Sequence, residues 1–196
     1  MPIFQIRLMR TFIAIELSET VQQALAAVQQ QMRPLVSFAR WTRPDGTHLT
    51  LKFLGEAQKY QLDKIETELD RIASAFGPFE LALNSVGAFP RLAAPRVLWV
   101  GINQGEAVKR LQSDIESAIS PLGFPSEKRD FKPHLTLARL EGANWPLELR
   151  QRFLDCASII SGVQWHIDRM ILFRSELSKG GAVYTALHIS GFSQSA

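Results

Sequence analysis

The chain has 196 residues, of which 46% are hydrophobic and 21% are charged. This composition excludes a disordered chain and leaves room for one domain, or for two small lobes that share an interface. The formal net charge of +3 suits an anionic partner. It is too small, however, for the charge blocks that mark a dedicated nucleic-acid coat.

The single cysteine, Cys156, excludes an intramolecular disulfide bond and argues against a cysteine-based metal site. Low cysteine usage suits a reducing compartment, and no apolar run approaches the roughly 18 residues of a membrane span. We therefore expect a cytoplasmic protein with no membrane segment. The first eight residues are too short and too interrupted for a secretion signal. Met9 is a second candidate start, which would make residues 1–8 an extension.

The first half of the chain alternates strand and helix patterns. Residues 11–17 are β-branched and aromatic, which favours a strand, and Ser18 then offers a helix cap. Apolar residues recur at helical spacing in two later stretches. The predicted elements are a strand over 11–17, a helix with Val21, Leu25, Val28 and Met32 that ends at Pro34, a strand over 48–54 closed by Gly55, a helix with Leu62, Ile65, Leu69, Ile72 and Phe76, and a strand over 79–89.

The second half repeats this order. The predicted elements are a strand over 96–102, a helix with Val108, Leu111, Ile115, Ile119 and Leu122, a strand over 134–140, a helix over 146–157, a long strand over 163–173, and a last strand over 183–189 after Gly180-Gly181. Several strands follow one another through turns too short for a parallel crossover. We therefore predict an α+β fold with antiparallel sheets.

The repeat predicts two lobes related by a pseudo-twofold axis, with halves at roughly 9–92 and 93–196 of a single domain. Each lobe is expected to be an antiparallel sheet with helices on its outer face. Within each half the same tetrapeptide, His-Leu-Thr-Leu, begins a strand, and the two copies lie 86 residues apart at His48 and His134. The repeat therefore predicts that the two motif strands face each other across a central cleft.

Each motif places a histidine and a threonine on one face of its strand, because side chains two residues apart point the same way. His48 and Thr50 share one face, as do His134 and Thr136, and the leucines point into the core. A neutral imidazole can take a proton from water, and a protonated one can give a proton to a leaving alkoxide. Threonine hydroxyls can donate to phosphate oxygens. This set predicts phosphodiester hydrolysis that needs neither a metal nor a cofactor.

The sequence resembles the two-histidine (2H) phosphoesterase superfamily, and within it the RNA 2′,3′-cyclic phosphodiesterases, which are also called 2′-5′ RNA ligases. The resemblance extends over nearly the whole chain from Met9. Its landmarks are the runs at 12–17, 48–55, 87–90, 96–101 and 133–139, and then Ser175, Leu177, Gly181 and Tyr184.

The resemblance implies a bilobal fold with an active site in the central cleft, where an RNA 2′,3′-cyclic phosphate is hydrolysed to a 2′-phosphomonoester. It implies that His48 is the proton donor to the leaving 3′ oxygen and that His134 is the proton acceptor from water. The two near-identical motifs do not by themselves assign these roles. The implied partner is an RNA end carrying a 2′,3′-cyclic phosphate, with tRNA fragments or a nucleotide as candidates. No obligatory protein partner is evident.

Other functions remain open at this stage. Some members of the family join tRNA halves through a 2′-5′ linkage, and a decayed RNA-binding or nucleotide-binding module is a further alternative. The intact histidines and threonines argue against decay. A metallohydrolase needs at least three converging ligands, whereas each motif strand offers one histidine and no acidic neighbour.

Further residues are weaker candidates for the cleft. Lys52 and Arg139 follow the two motifs and are predicted to bind phosphate, while Tyr184, Trp41 and Phe131 are predicted to line the substrate site, the last two by stacking on a base. Three other residues are not expected to take part in catalysis. We expect His166 to be exposed to solvent on a polar strand face, His188 to be structural, and Cys156 to be a buried small hydrophobe.

Overall fold

The computed structural model describes residues 8–103, 105–141, 145–178 and 181–193. Most of the proposed extension at residues 1–8 and the glycine at position 180 therefore lie outside the described residues. The helices and strands are β1 (Met9–Glu16), α1 (Glu19–Met32), β2 (Arg40–Trp41), β3 (His48–Ala57), α2 (Lys59–Ala73), β4 (Phe79–Phe89), β5 (Val97–Ile102), α3 (Glu106–Ile119), β6 (His134–Arg139), α4 (Leu147–Asp155), β7 (Gln164–Ile167), β8 (Arg169–Ser178) and β9 (Gly181–Gly191). Within these ranges, no helix is long and apolar enough to cross a membrane.

The strands form two antiparallel sheets, as the sequence predicts. The first sheet has the order β3-β1-β8-β9, and the second has the order β2-β6-β5-β4-β7. The run β3-β1-β8-β9 in the first sheet corresponds, strand by strand, to the run β6-β5-β4-β7 in the second. Each motif strand pairs with the first strand of its own half, which in turn pairs with a strand from the other half. The predicted α+β fold with antiparallel sheets is confirmed.

The two sheets do not coincide with the two halves of the sequence. Strand β4, from the first half, pairs with β5 and so belongs to the second sheet. Strands β8 and β9, from the second half, complete the first sheet. The boundary near residue 92 therefore separates the repeats but not the lobes, because the halves exchange their last strands.

The long strand predicted over 163–173 is wrong. The structure has two strands here, which end and begin on either side of Asp168. Strand β7 pairs with β4 of the second sheet, whereas β8 pairs with β1 of the first. The carbonyl of Asp168 accepts a hydrogen bond from the backbone N–H of Phe192, and its carboxylate binds Arg169. These bonds hold the chain where it crosses between sheets, and a run of apolar residues gives no sign of that crossing.

The helices bury the apolar faces that their spacing predicts. Ser18 caps α1 by accepting a hydrogen bond from the backbone N–H of Val21. Helix α2 packs against β8 and β9 and α3 against β3, while α1 packs near β7 and α4 against β4. Each fully buried leucine, isoleucine or valine contributes about 1.5–3 kcal/mol relative to an exposed one. The fully buried helix residues of this core include Val21, Leu25, Val28, Met32, Ile65, Leu69, Val108, Leu111, Ile115 and Ile119.

Candidate active site

The two motif strands lie side by side, with Cα atoms of β3 and β6 within 8 Å of each other. In each strand the histidine and the threonine are half-buried, and the leucines between them are buried. Leu49 is 1% exposed, and its counterpart Leu135 is fully buried. The two-residue alternation predicted from the sequence therefore holds through both tetrapeptides. It places the polar side chains of each motif on the face away from the core.

A β-bulge follows the threonine in each motif. In the first sheet Thr50 lies opposite Ala14 and Lys52 lies opposite Ile13, so Leu51 has no residue of its own to pair with. In the second sheet Thr136 lies opposite Trp99 and Ala138 opposite Leu98, which leaves Leu137 as the extra residue. A bulge of one residue reverses the alternation of faces that follows it. The next outward-facing residues are therefore Phe53 and Arg139.

The bulge overturns the prediction that Lys52 binds phosphate in the cleft. The Lys52 side chain points to the core side and is only 3% exposed. Its Nζ lies 2.6 Å from Oε2 of Glu116 on α3, and it also donates to the carbonyl oxygen of Pro125 at 3.0 Å. A lysine that is buried and paired in this way has no route to a phosphate in the cleft.

Aromatic rings surround His48. Its imidazole stacks on Phe12 with ring centroids 4.4 Å apart, and it packs edge-to-face with Tyr184, with ring centroids 4.9 Å apart and an interplanar angle of 89°. Phe173 adds a third ring at 6.2 Å. Burial against these rings lowers the pKa of His48 to about 4, and a hydrogen bond with the backbone of Gly46 opposes the shift. His48 is therefore neutral at pH 7 in the unliganded protein.

His134 is held in a corresponding way. Its Nδ1 lies 2.7 Å from the carbonyl oxygen of Lys132, two residues earlier in the chain, just as Gly46 lies two residues before His48. Since a carbonyl oxygen can only accept, Nδ1 carries the proton, and Nε2 of the neutral ring carries a lone pair. Burial lowers the pKa of His134, the Lys132 carbonyl opposes the shift, and the positive charge of Arg139 lowers the pKa further. The rings of Phe89 and His134 pack edge-to-face, with centroids 5.0 Å apart.

The two sides of the site differ in chemistry. Phe53 is 71% exposed and its ring lies 6.2 Å from that of Phe12, so the His48 side is aromatic. The equivalent residue on the other side is Arg139, which is exposed and close enough to His134 to influence its pKa. Phe53 was not among the predicted site residues, although it follows His48 by the same five residues that separate Arg139 from His134.

Trp41 and Phe131 are partly buried and pack against the core, and their stacking on a base stays a prediction. Trp41 pairs with the buried Ala138, so it lies on the core side of the second sheet, where the guanidinium of Arg33 covers its ring at 5.5 Å. Phe131 is half-buried and packs against the main core. The rings that approach His134 are Phe89 and Trp99. Tyr184 lies beside His48, and its contact with substrate likewise stays a prediction.

The remaining histidines and the cysteine lie away from the two motifs. Nδ1 of His166 is exposed and 2.8 Å from Glu80, and Nε2 of His188 is 2.8 Å from Asp70 on α2. Cys156 is fully buried, as expected. The described residues contain no group of three or more histidine, cysteine, aspartate or glutamate side chains that could hold a metal ion.

A family model of the 2′-5′ RNA ligase superfamily matches residues 19–179 of the chain. The chain belongs to this superfamily. The family predicted from the twin motifs is thereby confirmed. One relative within it, from Thermus thermophilus, is named RNA 2′,3′-cyclic phosphodiesterase. The two sequences are 34% identical over 187 residues, which cover 91% of this chain and 88% of the relative.

Two solved structures of similar proteins share the fold of this chain. The crystal structure of TT0787 of Thermus thermophilus matches with a TM-score of 0.78 and 29% identity, and covers 96% of this chain and 100% of that one. E. coli LigT complexed with 3′-AMP matches with a TM-score of 0.76 over 96% of this chain and 100% of that one. At 24% identity, this match shows a common fold.

Proposed function

We propose that the protein hydrolyses the 2′,3′-cyclic phosphate at an RNA end to a 2′-phosphomonoester by acid-base catalysis between His48 and His134. One observation carries the proposal: adjacent strands present two imidazoles, each hydrogen-bonded to the backbone two residues earlier in its own chain segment. Fixing one ring nitrogen in this way restricts the orientation of the other, on the strand face that also carries the threonine of the same motif. The name of the Thermus thermophilus relative, RNA 2′,3′-cyclic phosphodiesterase, supports this substrate.

In the proposed step, water attacks phosphorus while the bond from phosphorus to the 3′ oxygen breaks. Nε2 of His134 is the base that takes the proton from water, since Nδ1 of the neutral ring already carries one. His48, in its protonated form, gives a proton to the leaving 3′ oxygen. The depressed pKa of His134 suits the base, because the ring is neutral at pH 7. The step is metal-independent in this proposal.

Three side chains are proposed to bind the phosphate. Thr50 and Thr136 are half-buried on the same strand faces as the histidines, and their hydroxyls can donate to the non-bridging oxygens. Arg139 follows Thr136 on the same side because of the bulge, and its guanidinium can neutralise the charge that develops. The first motif has Phe53 at this position, so we propose that Arg139 makes the main cationic contact.

The acid role of His48 requires the substrate. With a pKa of about 4 in the free protein, His48 carries little positive charge at neutral pH. An anionic phosphate beside a histidine favours its protonated form and raises its pKa. We therefore propose that substrate binding charges His48 and so prepares it as the acid.

The test is turnover of an oligoribonucleotide that ends in a 2′,3′-cyclic phosphate, in buffer with a chelator. We expect a 2′-phosphate product, with activity lost in both His48→Ala and His134→Ala. His166→Ala is the matched control, since this histidine is exposed and binds Glu80 at the far end of β4. Undiminished turnover in either motif variant would exclude the acid-base proposal, and a 3′-phosphate product would exclude the proposed leaving group.

A further inference from the structure

Two arginines face each other across neighbouring strands at one end of the site. Arg40 of β2 lies directly opposite Arg139 of β6. Residues paired in this way share one face of the sheet, with Cβ atoms about 5 Å apart. The bulge at Leu137 places Arg139 on the face that carries His134 and Thr136. Arg40 therefore lies on this face too, one strand further from β5.

This pair of like charges calls for an anion. Like charges directly opposite each other in a sheet are unfavourable, and β2 is only two residues long, so the repulsion falls on one of its two paired positions. Glu141 forms an ion pair with Arg40. Among the described residues, no carboxylate lies within ion-pair distance of Arg139. The two guanidinium groups thus share one carboxylate between them, which leaves a net positive charge on this part of the site.

The ion pair between Arg40 and Glu141 can be exchanged at small cost. The two side chains are 78% and 79% exposed, and an ion pair at such exposure changes an equilibrium constant by at most about fivefold. A phosphodiester carries the same charge as the carboxylate, and a guanidinium can bind two of its oxygens at once. The phosphodiester of a bound RNA can therefore take the place of Glu141.

The position of β2 puts Arg40 on the side of the proposed acid. In the second sheet, β2 lies on the side of β6 away from β5, and the chain leads from Arg40 through residues 41–47 to His48. His48 is proposed to protonate the leaving 3′ oxygen, which stays attached to the terminal ribose. The RNA chain continues from the 5′ carbon of this ribose, so it leaves the site on the side where Arg40 lies.

We propose that Arg40 binds the phosphodiester that precedes the terminal nucleotide of the RNA, in exchange for Glu141, while Arg139 binds the reactive phosphate. The inference rests on the proposed function, because the reaction fixes which end of the RNA enters the site. The two arginines thereby select an RNA end over a cyclic mononucleotide. Arg40 does not touch the reacting atoms in this arrangement, so its loss should act mainly on KM and less on kcat.

Three substrates isolate this contact. The first is a nucleoside 2′,3′-cyclic phosphate, and the second is a dinucleotide that ends in the same group. The third is this dinucleotide with an uncharged methylphosphonate as its internucleotide link. Arg40→Met should lower kcat/KM for the second substrate roughly tenfold more than for the first, chiefly through KM. The loss with the third substrate should match the loss with the first, because the third has no charge for Arg40 to bind.

Arg152→Met is the matched control, because Arg152 also forms an exposed ion pair, with Glu148 on α4. It should leave the ratio of kcat/KM between the second and first substrates within about twofold of wild type. Equal losses for all three substrates in Arg40→Met would overturn the proposal, while turnover by the wild-type protein still supports the proposed function. Absence of turnover of all three substrates in the wild-type protein would overturn the proposed function itself.

The opposite change is made at Glu141. Glu141→Gln removes the carboxylate that competes with phosphate for Arg40, so KM for the dinucleotide should fall about twofold or more. KM for the methylphosphonate substrate should not fall with it. Glu148→Gln, which breaks the exposed pair on α4, is the control. An unchanged or higher KM for the dinucleotide in Glu141→Gln would overturn the exchange of Glu141 for phosphate.

Discussion

The ammonium group of Lys52 lies 2.6 Å from the carboxylate of Glu116, and the two side chains are 3% and 15% exposed. The same carboxylate accepts hydrogen bonds from Gln112 and from the backbone N–H of Glu127, while Lys52 also binds the carbonyl of Pro125. The pair thus ties the strand that carries His48 to the chain segment that leads to His134.

Breaking this pair should destabilise the protein strongly. Lys52→Met leaves the Glu116 carboxylate buried without its cation, and loss of one partner of a buried pair costs about 3–5 kcal/mol. The free energy of unfolding, measured by urea titration, should fall by about 3 kcal/mol or more. The double variant Lys52→Met/Glu116→Leu should be less destabilised than the sum of the single variants, since no unpaired charge remains.

An exposed ion pair is the control for this measurement. Arg152 and Glu148 on α4 lie 3.5 Å apart at the surface, with side chains 58% and 81% exposed. Arg152→Met should change the free energy of unfolding by less than about 1 kcal/mol. Equal losses in Lys52→Met and Arg152→Met would contradict the buried role of Lys52.

The position of Lys52 also shows where sequence patterns stop being informative. The period of two correctly places His48 and Thr50 together, because residues 48–50 lie in regular strand before the bulge. It fails two residues later, since the bulge depends on pairing with β1 and cannot be read from the motif alone. The corresponding bulge in the second motif, at Leu137, is stabilised by a residue far away in the sequence. Gln29 of α1 donates to the carbonyl of Leu137 at 3.1 Å, across 108 residues.

The exchange of strands between the two halves could not be predicted from local sequence patterns, for a related reason. Residues 164–173 have one continuous strand-like composition, yet β7 and β8 lie in different sheets. Which sheet a strand joins is decided by pairing with distant residues, and propensity does not encode it. The repeat therefore identified the motif pair, whereas the division of the chain into lobes needed the structure.

Arg139 should matter for catalysis through its charge. Arg139→Met removes the cation beside the second motif, so we expect kcat/KM to fall roughly tenfold to a hundredfold. Since the charge of Arg139 contributes to the low pKa of His134, the pKa of His134 should rise in the variant. The change in rate is measured with the cyclic-phosphate substrate, and the pKa by NMR titration of the imidazole. Arg152→Met should change neither quantity, and a variant with normal kcat/KM would remove Arg139 from the site.

The rate should have a bell-shaped pH dependence with its maximum on the acid side. In the free protein burial lowers the pKa of His48 to about 4 and lowers that of His134 as well. The form in which one of the two rings is protonated and the other is neutral is most populated between the pKa values of the two histidines. Both pKa values lie below the ordinary 6.5. We therefore expect kcat/KM to peak below pH 6.5. The peak of kcat should lie at higher pH, because bound phosphate raises both pKa values. A profile that is flat from pH 5 to 8 would contradict the two-histidine proposal.

Folding stability should depend on pH through the same histidines. The folded-state pKa of His48 is about 4, below the unfolded value of about 6.5, so the unfolded chain binds protons more readily. The stability that goes with the neutral ring is complete above pH 6.5, and it is lost as the pH falls toward 4. His48→Gln removes this dependence. As the pH falls through this window, the free energy of unfolding of the variant should therefore rise relative to that of the wild type by up to about 1.4 kcal/mol per pH unit. Urea titrations of both proteins between pH 4 and 7.5 measure the difference, and His134→Gln should change it in the same direction. Parallel stability curves for wild type and His48→Gln would show that burial against Phe12 and Tyr184 does not disfavour the charged ring.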